Sequence, residues 1–303
     1  MATNITKKQH YVWRNYLRAW AKDEQITTYL KNQQKIILTD LMNVAQQRYF
    51  NKFNKLTEID KKFLNHMVSE VKGPIKSMLD DLLYDINLFN DLKEIQEQIT
   101  DATPEPLEEL EKNGFELLHT IIEEHGQKII QCRSYSDLLF LEDPMSKFET
   151  LMFICFQYFR TKKQRDIQIE NFKDTSLNIK NINSILSVIS AARVAQNISF
   201  DPKIRFCLLE ILNDEITFIT SDQPVINLHG NEKDNDGYTQ DLSFYYPISP
   251  KHALIIDFSD SGDRYQYKCI NQYEAVALNG KIASEYHEFL FADSETELMN
   301  ANS

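Results

Sequence analysis

His10, Arg14 and Arg18 are spaced four residues apart within the aromatic-rich run Lys8-Gln-His-Tyr-Val-Trp-Arg-Asn-Tyr-Leu-Arg-Ala-Trp20. Read as a helix over residues 10–20, the run places these three groups on one ridge. Trp13, Leu17 and Trp20 then form an apolar stripe that docks on a core, and Tyr16 pairs with Trp20 on a flank. An imidazole beside two guanidiniums suits an anion, because arginine grips carboxylate or phosphate with two parallel hydrogen bonds. The competing structural account is that the aromatics pin the chain terminus and the arginines pair with the protein's own carboxylates.

Two other places invite the same question. The β-prone run Ile216–Ile219 ends in Thr220-Ser221-Asp222-Gln223-Pro224. Proline there ends a ladder and projects the preceding side chains. Asp222 is thus a candidate metal ligand, general base or partner that orients His10, and Ser221 a candidate anion contact. The plainer alternative is a turn in which Ser221 or Asp222 caps its own backbone. Gln157 and Arg160 sit three residues apart on an otherwise apolar helix. Arg160 is costly to bury unpaired, so it requires Asp222, another acid or a bound anion.

The elements that must position these groups read as α+β. A short N-terminal helix precedes a hairpin, Gln25–Leu30 with Lys35–Leu38, turned by Asn32-Gln33-Gln34. Helical periodicity runs from about Glu58, capped by Thr57, to Ile99, with a break at Gly73-Pro74. A loop over 101–106, a helix over Glu108–His125 stopped by Gly126, a helix opened at Ser146-Lys147-Phe148-Glu149 and another over Asn183–Gln196 follow. Five strands are predicted next: Phe206–Leu212, Glu215–Thr220, Leu242–Tyr246, Ala253–Phe258 and Tyr265–Ile270. A closing helix, Gln272–Glu285, precedes Phe289-Leu290-Phe291. We therefore expect a single domain over 1–303: an N-terminal helix and hairpin (1–56), a helical part (57–198), an antiparallel β-rich part (199–292) and a frayed tail (293–303).

Composition narrows the function classes. The chain has 303 residues, 42% hydrophobic, with a formal net charge of −12. That charge opposes diffuse nucleic-acid binding over the whole surface and leaves room for a local basic groove. Only 7 Gly and 8 Pro occur, which argues against a glycine-loop nucleotide fold. Phosphate-loop, dinucleotide, zincin and nucleophile-elbow signatures are lacking. The four cysteines are far apart and read as buried thiols of a reducing compartment. The N-terminus lacks an apolar signal region and no apolar run reaches membrane-span length, so a cytoplasmic protein with no membrane association is expected. His119 and His125 are six apart, and His229–Gly237 lacks calcium-loop spacing and reads as a solvated loop.

The block His10-Tyr11-Val12-Trp13-Arg14-Asn15-Tyr16-Leu17-Arg18-Ala19-Trp20 resembles the signature His-Tyr-Val-Pro-x-x-Tyr-Leu-x-x-Phe of a bacterial family of uncharacterised domains. Arg48-Tyr49-Phe50, Gln157-Tyr158-Phe159-Arg160-Thr161, Phe218–Val225, Tyr246-Pro247-Ile248-Ser249-Pro250 and Leu278-Asn279 are similar in order. Trp13 replaces the signature proline, and Asn51 follows Phe50 where an aromatic is expected. The resemblance implies no activity. It selects His10, Arg160, Ser221 and Asp222, and loosely suggests a defence setting, including phage defence, or a toxin setting.

Two functions are expected from these residues. The first is a nuclease-like, phosphodiester-acting enzyme. His10 would be its acid or base, Asp222 and Arg160 catalytic partners, and Arg14, Arg18, Gln157 and Ser221 the anion contacts. A divalent metal is a candidate cofactor and a nucleic acid or nucleotide the candidate partner. The alternative is a non-catalytic sensor that clamps an anion or a partner protein. Both rest on His10 and Asp222 meeting across one hollow.

Overall fold

The computed structural model describes residues 8–99, 105–230, 232, 234, 239 and 241–301. It is α+β. The chain starts with strand β1 (Lys8–His10), which pairs antiparallel with β4 (Gln46–Arg48), His10 opposite Gln46. His10 is therefore on a strand. Helix begins only at α1 (Arg14–Leu17) and tightens to a 3-10 turn over Arg18–Trp20. The continuous helix expected over 10–20 is too long, because its first residues satisfy their backbone in a ladder.

The aromatics do the anchoring that their stripe suggested. Tyr16 stacks on Tyr246 with centroids 4.9 Å apart, and Trp13 meets Phe153 edge-on at 5.5 Å. Tyr16 Oη lies 2.6 Å from Thr220 Oγ1 and donates to the Pro247 carbonyl at 2.8 Å. Trp20 Nε1 donates to the Phe218 carbonyl at 2.7 Å. A buried tyrosine or tryptophan needs such a partner for its polar end.

The hairpin forms as β2 (Gln25–Leu30) and β3 (Lys35–Asp40). The distant strand β11 (Phe289–Ala292) adds to β2, and β6 (Thr220–Ser221) adds to β11, in the order β3-β2-β11-β6. The second sheet has the order β10-β5-β9-β8-β7, from β5 (Ile204–Ile211), β7 (Ile226–Asn227), β8 (Phe244–Pro247), β9 (His252–Phe258) and β10 (Tyr265–Ile270). β10 runs parallel to β5, so the sheet is mixed. The strand expected over 215–220 shrinks to β6, because Asn279 on α9 (Gln272–Glu285) takes the backbone groups that a ladder would use. Its side chain accepts from the Ile219 amide at 3.0 Å and donates to the Thr217 carbonyl at 2.8 Å.

The helical part comprises α2 (Glu58–Ser69), α3 (Pro74–Gln98), α4 (Glu105–His125), α5 (Gln127–Ile130), α6 (Pro144–Phe159), α7 (Lys162–Asn171) and α8 (Ile179–Ser199). Thr57 and Asp60 form the capping box of α2. The cap of α6 is Asp143, whose carboxylate accepts from the Ser146 amide at 2.8 Å, so the helix starts two residues before the predicted hydroxyl. α7, capped by Thr161, was not foreseen. Residues 151–157 of α6 are buried without interruption, and α8 packs along them. Of the tail expected to fray, Glu295–Ala301 form helix α10, which buries Leu298, and 302–303 lie outside the described residues. Cys132 and Cys155 are buried, whereas Cys207 is half-buried and Cys269 exposed, so the expectation of four buried thiols holds for two. Of the expected 101–106 loop, 101–104 lie outside the described residues and 105–106 open α4. Most of the His229–Gly237 loop is likewise outside them. Among the described residues no helix is long and apolar enough to cross a membrane.

Candidate functional site

β1, α1 and the 3-10 turn after it line a cavity of about 330 Å³ closed by α4 and the end of α6. Lys8, His10, Arg14, Arg18 and Arg160 all face it. Strand, helix and turn thus bring together the three groups that a single helix was expected to align. Four cations meet two carboxylates in the lining, Glu116 and Glu123. The hollow is locally basic in a chain of net charge −12.

The cations are not equivalent. Arg160 is 2% exposed, pairs with Glu123 and donates from Nη2 to the His10 carbonyl at 2.8 Å. Its required acid is therefore Glu123 and not Asp222. Burial pushes the Glu123 carboxyl up, and Arg160 pulls it back in part. Arg18 is chelated by Glu24, at 2.6 Å from Nε and 3.3 Å from Nη2. Arg14 Nη1 donates to Met42 Sδ, and Lys8 Nζ donates to Asn43 at 3.0 Å, so these two contact neutral groups.

His10 lies among them, half-buried, with both ring nitrogens shielded from solvent and, among the described residues, no side-chain hydrogen-bond partner. Burial first, then Arg14, lower its pKa to about 4; hydrogen bonding to the Val44 backbone opposes them, and Arg160 and Lys8 add smaller downward pushes. The imidazole is neutral at pH 7.

A second layer supports the floor. Glu116, His119, Thr120 and Glu123 occupy positions i, i+3, i+4 and i+7 of α4. Asn51 Nδ2 donates to Glu116 Oε1 at 3.1 Å and lies 3.2 Å from His119 Nδ1, while its amide donates to Gln9 Oε1 at 2.7 Å. Arg165 Nη2 donates to Asn51 Oδ1 at 2.7 Å, and the Arg165 pKa is lowered to about 9 by burial and by Arg160. Asn51, the polar residue standing where an aromatic was expected, is the hub of this layer. The α4 residues were missed. Their signal was legible as an ionisable stripe at core spacing, flanked by the buried Phe115 and Ile122.

Asp222 is elsewhere, and the expected meeting with His10 does not occur. Its carboxylate, 1% exposed, accepts from the amides of His287 and Glu288 at 2.9 and 2.7 Å. Its own amide donates to the Phe289 carbonyl at 3.1 Å, locking the entry to β11. Burial raises its pKa, and those amides oppose the rise. Around it Tyr11 Oη donates to Glu288 at 3.2 Å, and Lys162 pairs with the same carboxylate at 2.5 Å. Ser221 Oγ donates to the Gln223 carbonyl at 2.9 Å and accepts from its amide at 3.1 Å. That is the turn chemistry given above as the plainer alternative. Gln157 is fully buried, its side-chain amide without a partner among the described residues and outside the cavity lining.

Among the described residues, no group of three or more His, Cys, Asp or Glu side chains is placed to hold a metal ion. No curated protein and no solved structure matches the chain. A family model, described as a protein of unknown function (DUF4238), matches residues 8–296, and the chain belongs to that family.

Proposed function

We propose that the cavity beside His10 binds a phosphate-bearing ligand, a nucleotide or a nucleic-acid phosphodiester, and that the chain works as an anion-binding sensor module. The observation that supports this reading is the pair of cations, Lys8 and Arg14, that among the described residues hydrogen-bond to neutral groups, beside an imidazole with no side-chain partner there. A phosphate entering there gains charge-assisted bonds and relieves the crowding of like charges. Arg160 and Glu123 hold the wall rather than the ligand, because each already satisfies the other. The free thiols fit a reducing, cytoplasmic location.

The test is binding of a fluorescent single-stranded oligonucleotide and of a nucleoside triphosphate to the purified chain. Arg14→Ala should weaken binding about tenfold, the loss of one charge-assisted contact of about 1.4 kcal/mol. His10→Gln should be tolerated, and affinity should fall with salt. Unchanged binding in an Arg14→Ala/Arg18→Ala protein refutes the reading.

A nuclease-like reading is favoured by one observation: a neutral imidazole, His10, stands in the cavity lining beside the cations. A bound phosphate would offset the neighbouring cations and bring its pKa toward the working range. The defence or toxin setting belongs with this second reading. Cleavage of RNA or DNA, with or without divalent metal, that disappears in His10→Gln would establish it.

A further inference from the structure

A larger hollow, of about 510 Å³, lies between the starts of α3 and α6, the end of α8 and the turn into β5. It shares no lining residue with the His10 cavity. Its volume is within the range of small-molecule sites, roughly 300–1,000 Å³. Its walls are mainly apolar, and two of its large side chains stand in water: Phe200 is 78% exposed and Met145 61%. Covering such groups is favourable, because it removes apolar surface from water.

Two cations border this apolar surface, Lys147 and Arg264. Among the described residues neither forms an ion pair with a carboxylate, and the charge acting on Lys147 is that of Arg264. Burial and that neighbour lower the Lys147 pKa. The carboxylate in the lining, Asp201, accepts from the Lys203 amide at 2.8 Å, while Lys203 itself pairs with Asp260. Two like charges held together beside exposed aromatic surface are unfavourable until an anion separates them.

We propose that this hollow binds a small soluble amphiphile, its apolar body against Phe148, Phe200 and Met145 and a single carboxylate head between Lys147 and Arg264. A free molecule fits better than a membrane surface, because a chain of net charge −12 is repelled by anionic bilayers.

Calorimetric titration of the full chain with decanoate, 1-decanol and decyltrimethylammonium tests this. Decanoate should bind at least tenfold more tightly than decanol, and the cationic analogue should not bind. Arg264→Gln and Lys147→Gln should each weaken decanoate about tenfold and leave decanol unchanged. Phe200→Ser should weaken both ligands, and because its side chain is exposed the variant should fold. No binding of decanoate, equal affinity for decanoate and decanol, or indifference to both charge substitutions overturns the proposal. Binding to anionic vesicles without binding of free decanoate overturns it as well.

Discussion

The His10 cavity and the Asp222 clasp are two charged clusters a few residues from the same aromatic anchor, yet they differ in what is left over. At Asp222 each carboxylate oxygen has a backbone amide, and the neighbouring Glu288 is held by Tyr11 and Lys162. At His10 the imidazole has, among the described residues, no side-chain partner, and Lys8 and Arg14 hydrogen-bond there to neutral groups. Burial and charge are common to both. Unspent hydrogen-bonding capacity beside a cavity is what separates a candidate site from a structural fastening.

Substitutions can break this contrast. The largest effect is expected at Arg160, which belongs to the wall of the cavity and whose charge, like that of Asp222, is already engaged. Arg160→Met leaves the half-buried Glu123 carboxylate without its cation and should cost about 3 kcal/mol in urea unfolding. Replacing both partners, Arg160→Met with Glu123→Leu, should recover most of the loss; no recovery would mean that the pair does more than neutralise itself.

Asp222→Ala leaves two partly buried amides without their acceptor and should cost about 2–3 kcal/mol. The folded fraction should bind phosphate ligands as the wild type does. If Asp222→Asn impairs binding as much as Arg14→Ala, the two regions are one site and the contrast fails.

The third effect is one of pH. His10 has its pKa lowered to about 4 in the fold, against 6.5 for the unfolded chain. Between those values the unfolded chain holds the extra proton, so stability falls as pH drops from about 6.5 to about 4. The contribution is about 2 kcal/mol after allowing for partial solvent access. His10→Gln should flatten this part of the stability curve, while the buried His119, lowered by burial and by Arg160 and Arg165, keeps contributing with the same sign. A bound phosphate should shift the midpoint of the His10 component upward.

Arg18→Ala should have the smallest effect, within about 0.5 kcal/mol, since both partners of its ion pair are more than two-fifths exposed. A thermal melt settles it.

Much of the frame was legible. β10 and α9 have the predicted bounds, and the hairpin and the Gly73 break in the long helical segment follow from turn residues and periodicity. The departures share a cause. His10, expected to open a helix, pairs with β4 instead, and 216–219 look like strand but give backbone groups to Asn279. Local propensity is overruled where a distant partner satisfies the main chain first. Arg160 was recognised as needing an acid, and which acid was not legible, because Glu123 is 37 residues away on another helix.

By itself the sequence determined the aromatic anchor, the α+β order and the identity of the cations, since periodicity, capping and the cost of burying charge act on neighbours along the chain. Only the tertiary structure decided which charges neutralise each other. Trp20 and Tyr16 do reach the region around position 220, through the Phe218 carbonyl and Thr220. From that shared anchor His10 faces α4, while Asp222 faces the amides that lead into β11. Electrostatic partnership depends on separations of a few ångströms in space, which spacing along the chain does not encode.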